Sequence, residues 1–267
     1  MKTILAATDF SPSSLNACRY AAMLANKMKC KLTILNLFDV PVVHSNSGLY
    51  FMSFQSVLKD HGKSLQKLET NLHQLYAHLT IDSVVSTGSL KNEVQQYIES
   101  HQILAVVMGL SAKTQLERTL QGSHSTDLAG KISAPVIIVP EKYKIHHLRS
   151  IVLGVDNKDK LFHAKLTQLE SIVKFAKARL TLLHVKTENE IFSSTQGEII
   201  INHKKHKVIT INDDSTQKGL LSYAKNFEID MIALISKKHS IFYEMFSETH
   251  TKQIAFESKI PVMALHE

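Results

Sequence analysis

Lys31-Leu32-Thr33-Ile34-Leu35-Asn36-Leu37 returns 148 residues later as Arg179-Leu180-Thr181-Leu182-Leu183-His184-Val185. Each is a short apolar run of the length expected for a strand buried on both faces. The echo extends to either side. Ile4-Leu5-Ala6-Ala7-Thr8-Asp9 matches Ile151-Val152-Leu153-Gly154-Val155-Asp156 at an offset of 147. Ala105-Val106-Val107-Met108 matches Met231-Ile232-Ala233-Leu234 at 126, and Ala134-Pro135-Val136 matches Ile260-Pro261-Val262 at the same 126. Self-similarity of this length marks two structural units in one chain. We divide them as 1–142 and 143–267. The fall in offset from 148 to 126 implies that the second copy has lost about one helix from its middle.

Between the strands lie helical patterns. In the first copy Leu58, Leu65, Leu68, Leu72, Leu75 and Leu79 fall at helical spacing and predict a long amphipathic helix on the sheet. Its counterpart is a shorter, irregular stretch from Glu188 to His206. Ser11 followed by Pro12 reads as an N-cap and first helical position, with Ala17, Ala21, Leu24, Ala25 and Met28 as the apolar face behind them. Strands are expected at 2–8, 31–38, 81–86, 104–108 and 136–139, and a last helix holds Leu128 and Ile132. Alternating strands and helices predict an α/β fold: two tandem α/β/α sandwiches, each with a mostly parallel sheet. The link at 141–149 is short, polar and free of glycine, which holds the copies close.

Composition removes several function classes. Apolar residues at 44% and charged residues at 21% are ordinary for a globular chain of 267 residues. Two cysteines, Cys18 and Cys30, exclude a disulfide framework and read as buried thiols. There is no apolar run of membrane-spanning length and no secretory pattern at the start, so a cytoplasmic address without a membrane partner is expected. The net charge of +7 is spread over the chain: thirteen basic against ten acidic residues up to Lys142, eighteen against fourteen beyond it. The tightest basic cluster, His203-Lys204-Lys205-His206-Lys207, has no interleaved aromatic ring, so no nucleic-acid partner is expected. His203/His206 and His146/His147 lack the Cys or carboxylate companions of a metal site.

In open α/β sheets ligands bind beyond the carboxyl ends of the strands, where strand order reverses. Two strand ends are informative. Asp9 follows strand one, ahead of the Ser11-Pro12 helix start. Gly109 follows strand four and opens Gly109-Leu110-Ser111-Ala112, with Gly122-Ser123-His124-Ser125 nine residues further on. Gly109 allows a ligand close to the backbone, and Gly122 allows a positive φ at a helix start. Ser123 and Ser125 offer hydroxyls to phosphate oxygens, and Asp9 accepts from a ribose or a base. The same residues also suit plain turns.

These residues resemble the universal stress protein family over nearly the whole chain. The family hallmark Gly-x-x-Gly-x9-Gly-(Ser/Thr) reads here as Gly109-x-x-Ala112-x9-Gly122-Ser123. Thr8-Asp9-Phe10-Ser11-Pro12-Ser13-Ser14, Gly88 before Asn92-Glu93-Val94, and Ala134-Pro135-Val136 fit the rest of its pattern. The resemblance implies a five-stranded parallel sheet of order 3-2-1-4-5 in each half and a site for ATP, with or without Mg2+, in the first. By the same resemblance Thr8, Asp9, Leu37 and Met108 border the nucleoside. Gly109, Ala112, Gly122, Ser123 and Ser125 hold the phosphates. Ala112 departs from the hallmark: its methyl fits a negative φ and clashes at a positive one. The family also pairs domains through its last strand, which implies an intrachain pseudo-dimer through 136–139 and 262–265, with a homo-oligomer as a further option.

At offset 126, Gly109 becomes Ile235, Ala112 becomes Lys238, Gly122 becomes Glu248 and Ser123 becomes Thr249. Glu248 repels phosphate, so only the first copy is expected to bind it. The expected function is nucleotide binding in a stress-response or signalling module. Two alternatives stand beside it, an interaction module that binds no nucleotide and a slow ATPase. No acid/base pair or nucleophile motif points to an enzyme.

Overall fold

β1 (Thr3–Thr8) is buried along its whole length. Ile4 and Ala6 enter one apolar layer, Leu5 and Ala7 another, as the two-residue period of a strand with two covered faces requires. In this computed structural model, residues 1–38, 49–110, 132–155, 163–187, 198–201, 204–236, 254–255 and 257–266 are described. β1 is flanked in parallel by β2 (Lys31–Phe38) and β4 (Ile103–Leu110). β3 (Ile81–Thr87) lies outside β2, and β5 (Val136–Pro140) outside β4, giving the order 3-2-1-4-5.

The second half repeats the arrangement. β6 (Ser150–Gly154) sits between β7 (Arg179–Lys186) and β10 (Met231–Ser236). β9 (Lys204–Asn212) lies outside β7, and β11 (Val262–His266) outside β10. The halves share one sheet because β5 and β11 run antiparallel, pairing Val136 with Ala264, Ile137 with Met263 and Ile138 with Val262.

Helix α1 (Pro12–Met28) starts as its sequence dictates. Ser11, extended at φ −64°, accepts a hydrogen bond from the Ser14 amide, a cap contributing about 1 kcal/mol. Alanines 17, 21, 22 and 25 are buried and keep the helix close to the sheet. α1 packs on β1, β4 and β5 and also against α4 (His163–Ala176) of the second half. One apolar layer therefore runs unbroken across both halves, from Leu65, Leu68 and Leu72 through Ile4, Ala21 and Ile137 to Leu166, Leu169 and Met231. On the opposite face there are two cores, one under α3 (Leu90–Ser100) with Val94, which also takes in Ala255 and Ala264 of the second half, and one under α5 (Thr216–Asn226) with Leu220 and Ala224.

Helix α2 (Leu49–Leu75) covers β2 and β3 and ends earlier than the leucine spacing implies. Leu75 is exposed, and Leu79 reaches the core from the turn that follows. The second half has no room for such a helix between Lys186 and Lys204. What was expected there as irregular chain includes β8 (Glu198–Ile201), antiparallel to β9, so that the His-Lys tract from Lys204 onward is strand. The exposed face of the outer strand has adjusted. Val85, opposite Asn36, faces the layer that α2 covers; Thr210, opposite His184, holds the corresponding place. The expected last helix of the first copy falls mostly outside the described residues. Ile132, assigned to it, is buried but not helical.

Candidate functional site

The sheet opens at its carboxyl edge in the first half. The β1–β4 ladder ends at Ala6 with Val107, while β4 continues beside β5 as far as Leu110 with Pro140. On the other side, β1 stays paired with β2 up to Thr8 with Asn36. Strand order reverses here, and the first turn of α1 enters the gap.

Ser14 gathers the site. Its hydroxyl lies 3.0 Å from Thr8 Oγ1 and accepts from the Asp9 amide at 3.3 Å. Thr8 Oγ1 accepts from the Phe10 amide at 3.0 Å, so this buried hydroxyl is committed inside the turn. Asp9 is exposed, and its Oδ1 accepts from the Ser11 amide at 2.9 Å. Burial raises the carboxyl pKa in part. Hydrogen bonds from the Ser11 hydroxyl, the Ser14 hydroxyl and the Ser11 amide outweigh that and hold it below the ordinary value. Asp9 is thus a fixed negative charge at the mouth of the gap. Phe10 follows with φ at 63°, an uncommon conformation for a bulky residue.

Gly109 is not the loop residue the sequence suggested. It lies inside β4, paired with Val139. A Cβ there would collide with the Ser13 carbonyl group and come within 2.6 Å of the Ser14 nitrogen. The Cβ direction of Gly109 is filled by α1, so helix–strand approach gives this glycine a structural cause of its own. Met108 is buried in the α3-side core. Leu37 is half-buried, one residue beyond the β1 ladder and paired with Ser86. Ala112, Gly122, Ser123 and Ser125 lie outside the described residues, as does Asp156.

The structure adds residues that sequence reasoning missed. Asn36, fully buried, donates from Nδ2 to the Thr8 carbonyl at 2.7 Å. Its Oδ1 lies 2.6 Å from Nδ1 of His61 on α2. The His61 ring sits 4.8 Å from the ring of Phe38 and 5.7 Å from that of Phe10. In sequence, a polar residue between Leu35 and Leu37 was the available signal for Asn36, and for His61 its place in the leucine stripe, four before Leu65 and seven before Leu68.

The profile of the universal stress protein family matches residues 1–140. The chain belongs to the universal stress protein family. A universal stress protein of Methanocaldococcus jannaschii is 26% identical over 144 residues, 54% of this chain and 84% of that one. A universal stress protein structure from Archaeoglobus fulgidus aligns with 99% of this chain and 96% of its own at a TM-score of 0.70 and 16% identity. A putative universal stress protein from Pseudomonas aeruginosa aligns over 99% of this chain and 92% of its own, at 0.57 and 10%. Both alignments extend the fold likeness of this universal stress protein beyond the profile match into the second half. Among its described residues no helix is long and apolar enough to cross a membrane.

Proposed function

We propose that this universal stress protein binds an adenine nucleotide, ATP foremost, at the first carboxyl edge and serves as a cytoplasmic stress-response or signalling module. The observation that carries the proposal is the gap between β1 and β4 with the ionised Asp9 at its mouth. The nine-residue spacing from Ala112 to Gly122-Ser123 supports a phosphate loop there. In this reading Asp9 accepts from ribose hydroxyls, and Thr8, Leu37 and Met108 shape the nucleoside end. Gly109, Ala112, Gly122, Ser123 and Ser125 hold the phosphates, with Mg2+ as a companion. The two units, 1–142 and 143–267, act as a tandem repeat whose β5–β11 seam makes a pseudo-dimer. Only the first unit is loaded.

A second reading is an interaction module without nucleotide. The filled space above Gly109 favours it, because the glycine has a structural cause of its own. Isothermal titration separates the two. Saturable heat with ATP in the wild type, lost in Gly122→Glu, supports the nucleotide site. No heat up to millimolar ATP sinks it.

A further inference from the structure

Resting on the nucleotide reading, we infer that His61 reads the base, accepting a hydrogen bond from its exocyclic amino group. The orientation of Asn36 is settled by its neighbour: the Thr8 carbonyl only accepts, so the Asn36 amide nitrogen faces it at 2.7 Å. Asn36 Oδ1 therefore faces His61, and at 2.6 Å the imidazole Nδ1 must donate. A neutral ring that donates from Nδ1 carries a lone pair on Nε2. Nε2 has no partner among the described residues. Among the described residues the ring is held by one hydrogen bond and by the two phenylalanines.

The place matters as much as the tautomer. Asn36 closes the β1–β2 ladder opposite Thr8, and Asp9 and Phe10 follow directly. The imidazole thus stands at the same strand ends as the carboxylate proposed to hold the ribose. Half-buried Phe10 and Phe38 bring aromatic rings to the same edge. A 6-amino purine presents a donor to Nε2. A 6-oxo purine presents another lone pair, which leaves two acceptors facing each other and loses affinity. The site assigned here is a discriminator between adenine and hypoxanthine or guanine.

The test compares ATP with inosine triphosphate, binding each to the full chain by isothermal titration. Wild type is expected to bind ATP about tenfold more tightly. His61→Phe, which keeps an aromatic ring between Phe10 and Phe38, is expected to bring the ratio to about one. An unchanged ratio in His61→Phe overturns the role of His61 and leaves nucleotide binding standing. A wild type that binds neither nucleotide overturns both. A measurement on wild type alone guards against a variant that fails to fold. The Nε2 nitrogen resonance of His61 should move on adding ATP and stay with inosine triphosphate; no movement with bound ATP refutes the contact.

Discussion

Asn36 and His184 occupy equivalent places in the two halves and make the same bond. Asn36 Nδ2 donates to the carbonyl of Thr8 at 2.7 Å, and His184 Nδ1 lies 3.1 Å from the carbonyl of Val155. Each is buried near the end of the second strand of its half and ties that strand to the end of the first. Two different side chains thus answer one need, a donor for the carbonyl at the end of the first strand.

The tie should be measurable. Asn36→Leu leaves the Thr8 carbonyl and His61 Nδ1 without their partner and is expected to cost about 2–3 kcal/mol in urea unfolding. His184→Asn, which writes the first half's residue into the second, should cost less than about 1 kcal/mol. Equal losses in the two variants would show that the bond itself is not what stabilises the strand end.

Two glycines make an opposed pair. At Gly109 a methyl meets the backbone of Ser13 and Ser14, which cannot swing aside. Gly109→Ala is expected to destabilise by about 3 kcal/mol. At Gly62, inside α2, a methyl meets nothing within 4 Å, and Gly62→Ala should stabilise by about 0.5–1 kcal/mol. Midpoints of denaturant unfolding for both variants give the signs.

Asp9 sets an acid dependence. Its pKa in the folded chain lies below the ordinary carboxylate value of 3.8. The stabilisation from its ionised form is therefore complete above that value and is lost as pH falls through the lower, folded one. Wild type should exceed Asp9→Asn in melting temperature at pH 6, and the difference should close towards pH 3. A difference that widens on acidification would contradict the sign.

The repeat was legible because strands buried on both faces are written as short apolar runs, and two such runs kept their register. Even the helices after β3 and β9 obey the offset: Leu90–Ser100 and Thr216–Asn226 stand 126 residues apart. β8 was hidden because its four residues precede a basic tract whose charge reads as solvated surface. Gly109 was misplaced because its cause, the first turn of α1, comes from a part of the chain almost a hundred residues away. The Asn36–His61 pair was beyond sequence for the same reason: the helix period sets His61 on the leucine stripe, four before Leu65, but cannot say which strand end it meets. At the carboxyl edge, the Ser11 cap of α1 was readable, since it is local to one turn.

Because β5 and β11 belong to one polypeptide, their seam forms as an intramolecular event, and dilution does not part it. Its occupancy is independent of how much protein a cell makes. Sequence drift at the second carboxyl edge, where Ile235 replaces glycine, leaves that seam untouched. The two carboxyl edges can therefore diverge without loosening the joint between the halves.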